Sequence, residues 1–249
     1  MFTIQELQLF KEQATPFYYY NMELLNDTLS ALNQAAQPYN YHVHYAFKAN
    51  TNDEILKLIQ SYGLGADCVS GNEVSKAIAT NFLSSKIAFA GVGKSDAEIN
   101  TALDHDIFCF NCESLPEMEV INELAEKKNK IASIALRINP NVNAKTHHYI
   151  TTGLEENKFG INPWELEDVL LRLKDLNHLN LIGLHFHIGS QITDLSAFRS
   201  LCIRVNEIQQ WFYSHHIIVD HINVGGGLGI DYENPDENAI PDFNSFFQL

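Results

Sequence analysis

Lys48 is the residue whose type and position most clearly indicate chemistry. It follows a β-rich run at residues 42–47, which opens a series of alternating strand and helix patterns. At the carboxyl end of the first strand of a (β/α) barrel, a lysine points into the mouth of the barrel. Among apolar neighbours we expect its amine to be partly desolvated, which lowers the pKa and makes it a nucleophile towards a carbonyl. The alternative is a strand-end lysine that simply extends to water.

A second chemically promising segment is LHFHIGSQ at residues 184–191. Strand alternation places His185 and His187 on one face, and the strand ends at Gly189 and Ser190. A metal site would need a third ligand and a supporting carboxylate. A flat imidazole at the barrel mouth can instead stack on an aromatic cofactor while Ser190 donates to a phosphate. Two satisfied histidines in the barrel core are the structural alternative.

The third segment is the glycine run NVGGGLG at residues 223–229. Consecutive glycines after a strand let backbone N–H groups converge on an anion, because no Cβ blocks the approach. Barrel enzymes often bind phosphate with the loops after strands seven and eight. Gly225, Gly226 and Gly227 follow the seventh predicted strand, so their place along the chain fits a phosphate site.

Strand and helix patterns alternate along most of the chain, which predicts a parallel sheet with right-handed crossovers. Strand patterns occur near residues 42–48, 65–69, 86–91, 106–111, 132–139, 180–188 and 219–224. Helical periodicity covers residues 53–62, 71–82, 96–103, 115–128, 164–176 and 195–213. Seven such units favour an α/β fold of the (β/α)8 TIM-barrel type over an open sheet. The connection at residues 139–163 is long enough to predict a functional loop.

Composition narrows the classes of partner. The net charge of -15 in 249 residues argues against nucleic acid and against anionic membrane surfaces. We also expect no membrane span and no signal peptide, and hence a cytoplasmic protein. Cys109 and Cys112 lie three apart on a predicted strand, so they should face opposite sides rather than share a metal. We therefore expect no metal site.

A nucleophilic amine, a planar stacking residue and a glycine loop, all at carboxyl ends of barrel strands, fit pyridoxal phosphate better than a metal. The sequence resembles the fold-type III pyridoxal phosphate decarboxylases, most closely their diaminopimelate branch. The matching motifs are TPFYYY (15–20), YAFKAN (45–50), GADCVSGNE (65–73), HFHIGSQ (185–191) and GGG (225–227). The loop motifs HHYITTG (147–153) and NKFG (157–160) are similar to the diaminopimelate branch rather than the ornithine or arginine branches.

The resemblance implies roles for individual residues. Lys48 would hold the cofactor covalently, His187 would stack on its ring, and Ser190 and the three glycines would bind its phosphate. Arg137, at the end of the fifth strand, would contact the cofactor or organise the site as an ion pair, with Asp67 and Glu73 as the implied partners.

The implied reaction is decarboxylation of meso-diaminopimelate to L-lysine and CO2. Alternatives are a related decarboxylase for ornithine, arginine or carboxynorspermidine, and a non-catalytic barrel that carries or senses the cofactor.

The resemblance also implies a domain plan. Residues 1–24 would form an N-terminal strand segment, and residues 25–249 the cofactor-binding barrel. The family's later glutamate, arginine and tyrosine motifs and its C-terminal β domain have no counterpart in the sequence. We therefore expect a truncated barrel that is poorly active alone and a homodimer when the protein is full length.

Overall fold

The computed structural model describes residues 2–142 and 159–249, and within them seven parallel strands pair in the order of the chain. The strands are β1 (His44–Ala46), β2 (Gly65–Cys68), β3 (Ile87–Phe89), β4 (Cys109–Cys112), β5 (Ala132–Arg137), β6 (Leu179–His185) and β7 (His221–Asn223). Each lies within a predicted strand or within one residue of it. Sequential parallel pairing with helical crossovers is the arrangement of a (β/α) barrel, as predicted.

Helices connect the strands and flank the sheet. They are α1 (Ile4–Lys11), α2 (Met22–Ala36), α3 (Asp53–Ser61), α4 (Gly71–Ala79), α5 (Asp96–Asp104), α6 (Leu115–Lys127), α7 (Leu166–Leu173), α8 (Ser196–Ser214) and α9 (Phe243–Phe247). The six predicted helices correspond to α3–α8, each beginning within two residues of its predicted start. None of the helices in the described ranges is long and apolar enough to cross a membrane.

A repeated serine–glutamate cap fixes helices to the strands that precede them. At the start of α6 the Ser114 hydroxyl accepts a hydrogen bond from the Glu117 backbone N–H at 3.4 Å. The Glu117 carboxylate in turn accepts the backbone N–H of Glu113 at 2.7 Å. Ser70 and Glu73 form the same arrangement at the start of α4. These caps satisfy N–H groups that the first helical turn leaves free, and they fix the residue at the strand end.

The two faces of the sheet carry different side chains. The main hydrophobic core lies between the sheet and the helices and includes Cys112, whereas Cys109 belongs to a smaller inner cluster with Ala88 and Ala135. This confirms that the two cysteines face opposite sides. Because the inner cluster is built from small residues, the barrel interior has room for polar side chains near its mouth.

The sheet is strongly curled. The ring of Phe108, just before β4, lies 6.2 Å from the ring of His44 on β1 and 4.9 Å from that of His221 on β7. Strands from the beginning, middle and end of the sheet therefore converge at the amino-terminal end of the barrel. Within the described ranges β1 and β7 are the two sheet edges and do not pair with each other.

Two expectations about local structure are wrong. Residues 15–20 do not form a strand, because their backbone has no strand partner in the described chain; α1 precedes them, and Tyr19 donates to Glu6 at 2.6 Å. Strand β1 ends at Ala46, and Lys48 lies in a 3-10 turn formed by Phe47–Ala49. The branch-specific motif at 147–153 and residues 157–158 lie outside the described residues.

Candidate active site

The strand register brings polar residues into one row at the carboxyl ends of the strands. Arg137 on β5 is paired with His185 on β6, and His185 is paired with Asn223 on β7. In a parallel sheet such paired residues point to the same face. On the other side of the barrel, Asp67 on β2 is paired with Ala46, two residues before Lys48.

Lys48 lies at the rim of this mouth and is exposed. The expected desolvation of its amine is therefore wrong for the described structure, because Lys48 lies on the 3-10 turn above β1, an edge strand, rather than inside the strand. Its positive charge nevertheless acts on Asp67 and on His187, and it lowers the pKa of both. Lys48, Asp67 and His187 thus belong to one electrostatic neighbourhood.

Asp67 has an unusual ionisation equilibrium for an aspartate. Burial raises the pKa of its carboxyl to about 6, and the positive charges of Lys48 and Arg137 oppose that rise while Glu73 adds to it. At neutral pH Asp67 is therefore an anion that holds its negative charge close to the Lys48 amine.

Arg137 forms an ion pair with Glu113, a residue that the sequence analysis did not identify. The Arg137 Nη1 atom donates to the Glu113 Oε1 atom at 2.6 Å, and the two side chains are only 12% and 4% exposed. Asp67 and Glu73, the partners implied by the family resemblance, do not pair with Arg137 among the described residues. The Glu73 carboxylate instead accepts the backbone N–H of Val69. Glu113 lies one residue beyond the pair Cys112–Leu136, so the register of β4 and β5 puts it beside Arg137.

The two histidines of β6 and its extension are neutral bases in this environment. Burial and the nearby Arg137 charge lower the pKa of His187 to about 4 and that of His185 well below its ordinary value. The His185 Nδ1 atom is buried and has no hydrogen-bond partner among the described residues. No group of three metal-ligating side chains occurs within residues 2–142 and 159–249.

The glycine run forms a tight loop against the segment that follows β6. Gly225 and Gly227 have φ values of +75° and +109°. A Cβ added to Gly225 would lie 2.4 Å from the Phe186 carbonyl oxygen, and one added to Gly227 would lie 2.2 Å from the Gly189 carbonyl oxygen. Gly226, in contrast, has no atom within 4 Å of such a Cβ. Only glycine fits at the two outer positions, whereas the middle one faces open space.

The three glycines do not offer equivalent N–H groups. The Gly225 N–H already donates to the Asn223 side-chain oxygen at 2.8 Å. Those of Gly226 and Gly227 donate to no partner in the described part of the chain. Ser190, which is exposed, follows Gly189 in the segment packed against this loop. The donors available to an anion are therefore Gly226, Gly227 and the Ser190 hydroxyl.

These features fit pyridoxal phosphate. The cofactor needs an accessible primary amine for its aldehyde, a flat neutral group beside its ring and a donor set for its phosphate. Lys48, His187 and the glycine loop with Ser190 are the groups of this chain that could meet these three requirements. The loop backbone at Gly225 and Gly227 lies so close to neighbouring carbonyl oxygens that a Cβ would collide with them. Such a close approach indicates a packed loop rather than a flexible linker.

Comparisons with known proteins indicate the same cofactor. The family described as "Pyridoxal-dependent decarboxylase, pyridoxal binding domain" matches residues 23–246. The chain is 55% identical over 239 residues to diaminopimelate decarboxylase of Bacteroides thetaiotaomicron, with 96% of the chain and 62% of that relative covered. It is 40% identical over 234 residues to the enzyme of Neisseria meningitidis serogroup A, with 94% and 57% covered.

Solved structures give the same relationship. Diaminopimelate decarboxylase from Helicobacter pylori, complexed with L-lysine, superposes with a TM-score of 0.90 at 36% identity, covering 98% of the chain and 61% of that structure. The enzyme from M. jannaschii, also in complex with L-lysine, superposes with a TM-score of 0.89 at 34% identity, covering 98% and 57%. The chain thus spans about three-fifths of the length of these proteins. Because the family match extends over nearly all of its described barrel, the chain belongs to the pyridoxal-binding domain family of the pyridoxal-dependent decarboxylases.

Proposed function

We propose that the chain forms the cofactor-binding barrel of a decarboxylase that converts meso-diaminopimelate to L-lysine and CO2. The observation that carries this proposal is the placement of the Lys48 amine in one electrostatic neighbourhood with Asp67 and His187, at the barrel mouth that the glycine loop also borders. The choice of substrate rests on the relatives: several are diaminopimelate decarboxylases, and two of their solved structures contain L-lysine.

Each residue has a distinct part in the proposed reaction. The Lys48 amine would hold pyridoxal phosphate covalently through the aldehyde of the cofactor. The N–H groups of Gly226 and Gly227, with the Ser190 hydroxyl, hold the phosphate. When bound, the cofactor accepts the electron pair that the departing CO2 leaves behind.

His187 and Asp67 control the charge around the reacting groups. A neutral His187 presents a flat face to the cofactor ring without adding positive charge there. The Lys48 amine, in one electrostatic neighbourhood with the Asp67 carboxylate, would deliver the proton to the substrate α-carbon. Arg137, held by Glu113, adds a fixed positive charge that acts on both Asp67 and His187.

The proposal extends to the full-length protein. We infer a homodimer in which each site is completed by its partner, and a place among cytoplasmic amino-acid biosynthetic enzymes. The homodimer follows from the family resemblance, which also implies that the barrel alone turns over poorly.

Covalent trapping tests the cofactor assignment. The chain is incubated with pyridoxal phosphate and reduced with borohydride, and the modified lysine is found by peptide mass spectrometry. We expect modification at Lys48 and its loss in Lys48→Ala, but not in Lys57→Ala, which removes an exposed lysine of α3. Retained stoichiometric labelling of Lys48→Ala would contradict the assignment.

Substrate choice requires a separate assay. The full-length protein is offered meso-diaminopimelate, ornithine, arginine and carboxynorspermidine, and CO2 release is measured for each. Release from meso-diaminopimelate alone is the expected result. Preference for another amino acid would move the protein to a different branch, and labelling without turnover of any substrate would favour a cofactor-carrying barrel.

A further inference from the structure

A buried network of four charged residues includes Arg137 and consists of Lys94, Glu117, Glu113 and Arg137. Its first member, Lys94, has a side chain only 1% exposed. Its Nζ atom donates to the Glu117 Oε1 atom at 2.5 Å and to the carbonyl oxygens of Gly91 and Asn111 at 2.8 and 2.9 Å. These three bonds use every N–H of the ammonium group, so Lys94 has no donor left for a ligand.

Glu117 connects Lys94 to the end of β4. Its Oε1 atom faces Lys94, and its Oε2 atom accepts the backbone N–H of Glu113 at 2.7 Å. Both oxygens of one buried carboxylate are thus engaged by donors on two different loops. The position of the Glu113 backbone therefore depends on Glu117.

Glu113 passes this constraint to Arg137. Its Oε1 atom binds the guanidinium at 2.6 Å, while its Oε2 atom is buried and has no hydrogen-bond partner among the described residues. The backbone of Glu113 is held by Glu117 and its side chain holds Arg137, so a small shift of Glu113 moves the guanidinium.

The position of Arg137 matters because several titratable groups face it. These are Asp67 on β2, Glu113 after β4, and His185 and His187 at the end of β6; Lys48 also acts on His187. The Arg137 charge is the largest electrostatic contribution, after burial, to the lowered pKa of His187. Coulomb energies vary inversely with distance, so displacing the guanidinium would raise the pKa of the His187 imidazole, which therefore reports the position of Arg137.

We propose that Glu117, anchored by Lys94, is a positioning residue that fixes Glu113 and thereby holds the Arg137 guanidinium in place at the barrel mouth, beside His185 of β6. This inference rests on the proposed function and deepens it, because it explains what holds the Arg137 charge that the proposed function assigns to the barrel mouth. Glu117 is assigned no contact with the cofactor or the substrate.

Glu117→Gln separates positioning from simple electrostatics. A glutamine has one acceptor oxygen, so its NH2 group must face either the Lys94 ammonium or the Glu113 N–H, and one donor pair is forced apart. Loss of a negative charge alone would lower the pKa of His187, since it favours the neutral imidazole. Displacement of Arg137 has the opposite effect. We expect the pKa of His187, about 4 in the parent, to rise by roughly one pH unit.

The measurement is an NMR titration of the histidine ring protons in the cofactor-free chain, with the His187 signal assigned from a His187→Gln variant. Glu123→Gln, which makes the same chemical change at an exposed pair on the same helix, should leave the His187 titration unaltered. Circular dichroism establishes that each variant is folded.

Glu117→Asp provides a second test in case the glutamine variant fails to fold. It keeps the negative charge and removes one methylene, so a rise in the pKa of His187 there reports displacement alone. An unchanged or lowered pKa in a folded Glu117 variant would overturn the proposal. Because the titration needs no cofactor, it can fail while Lys48 labelling succeeds, and the reverse, so the two ideas are tested separately.

Discussion

Replacing Gly227 by alanine is the sharpest test of the glycine loop. Gly227 has a φ of +109°, and a Cβ there would lie 2.2 Å from the Gly189 carbonyl oxygen. The two backbones would have to separate by about 1 Å to reach the ordinary contact distance of 3.4 Å or more. Gly226→Ala is the matched control, because its Cβ meets nothing within 4 Å and its φ is not positive.

The magnitude follows from two contributions. A left-handed backbone costs a residue with a Cβ about 1–2 kcal/mol. The separation also strains the hydrogen bond from the Ile192 N–H to the Gly227 carbonyl, at 2.8 Å, and the neighbouring bond from the Gly229 N–H to the Ile192 carbonyl, at 2.9 Å. Each is worth about 1 kcal/mol. Gly227→Ala should therefore lower the free energy of unfolding by about 3–4 kcal/mol. Gly226→Ala should raise it by about 0.4–1 kcal/mol, because alanine reduces the conformational freedom of the unfolded chain.

Thermal unfolding followed by circular dichroism measures the difference. For a domain of this size, a loss of 3 kcal/mol corresponds to a Tm lowered by roughly 6–12 °C. The Gly226 variant should unfold at or slightly above the parent temperature. The reasoning is refuted if the two alanine variants lose equal stability, or if Gly227→Ala unfolds at the same temperature as the parent protein.

Three further predictions concern the charged groups of the barrel mouth. Arg137→Leu leaves the Glu113 carboxylate buried without its ion-pair partner and should destabilise the fold by about 3–5 kcal/mol. The double variant with Glu113→Leu should recover much of that loss, and urea unfolding measures both. Asp67 has a folded pKa raised from 3.8 to about 6, so its stabilising contribution is present below pH 4 and is lost as the pH rises through 6. Asp67→Asn should accordingly gain stability relative to the parent between pH 4 and pH 7, and an unchanged difference across that range would contradict the raised pKa. His187 has a folded pKa lowered from 6.5 to about 4, so its contribution is present above pH 6.5 and is lost as the pH falls through 4. His187→Gln should therefore reduce the acid sensitivity of unfolding in that window, which thermal melts at pH 7 and pH 4.5 would measure.

Local sequence patterns determined the elements and the kind of chemistry. Strand alternation and helical periodicity depend on neighbours along the chain, which is why all seven strands and the helices between them were predicted. Local patterns also predicted that Lys48 lies near the end of β1, that Cys109 and Cys112 face opposite sides, and that the glycine run follows β7. It failed at residues 15–20, because a strand forms only where another strand is available to pair with it.

Only the tertiary structure decided which groups contact one another. Arg137 pairs with Glu113, rather than with Asp67 or Glu73, because the register of β4 against β5 sets these two side chains side by side. The Gly225 N–H is already taken by Asn223.

The exposure of Lys48 was decided in the same way. Lys48 is exposed because it lies on a 3-10 turn above an edge strand. The local pattern of apolar residues does not show whether the strand ends before Lys48 or continues through it. Ion pairs, free N–H groups and exposure are set by distances between segments far apart in the sequence. A single sequence specifies the types of those groups, whereas the packing of the barrel specifies their partners.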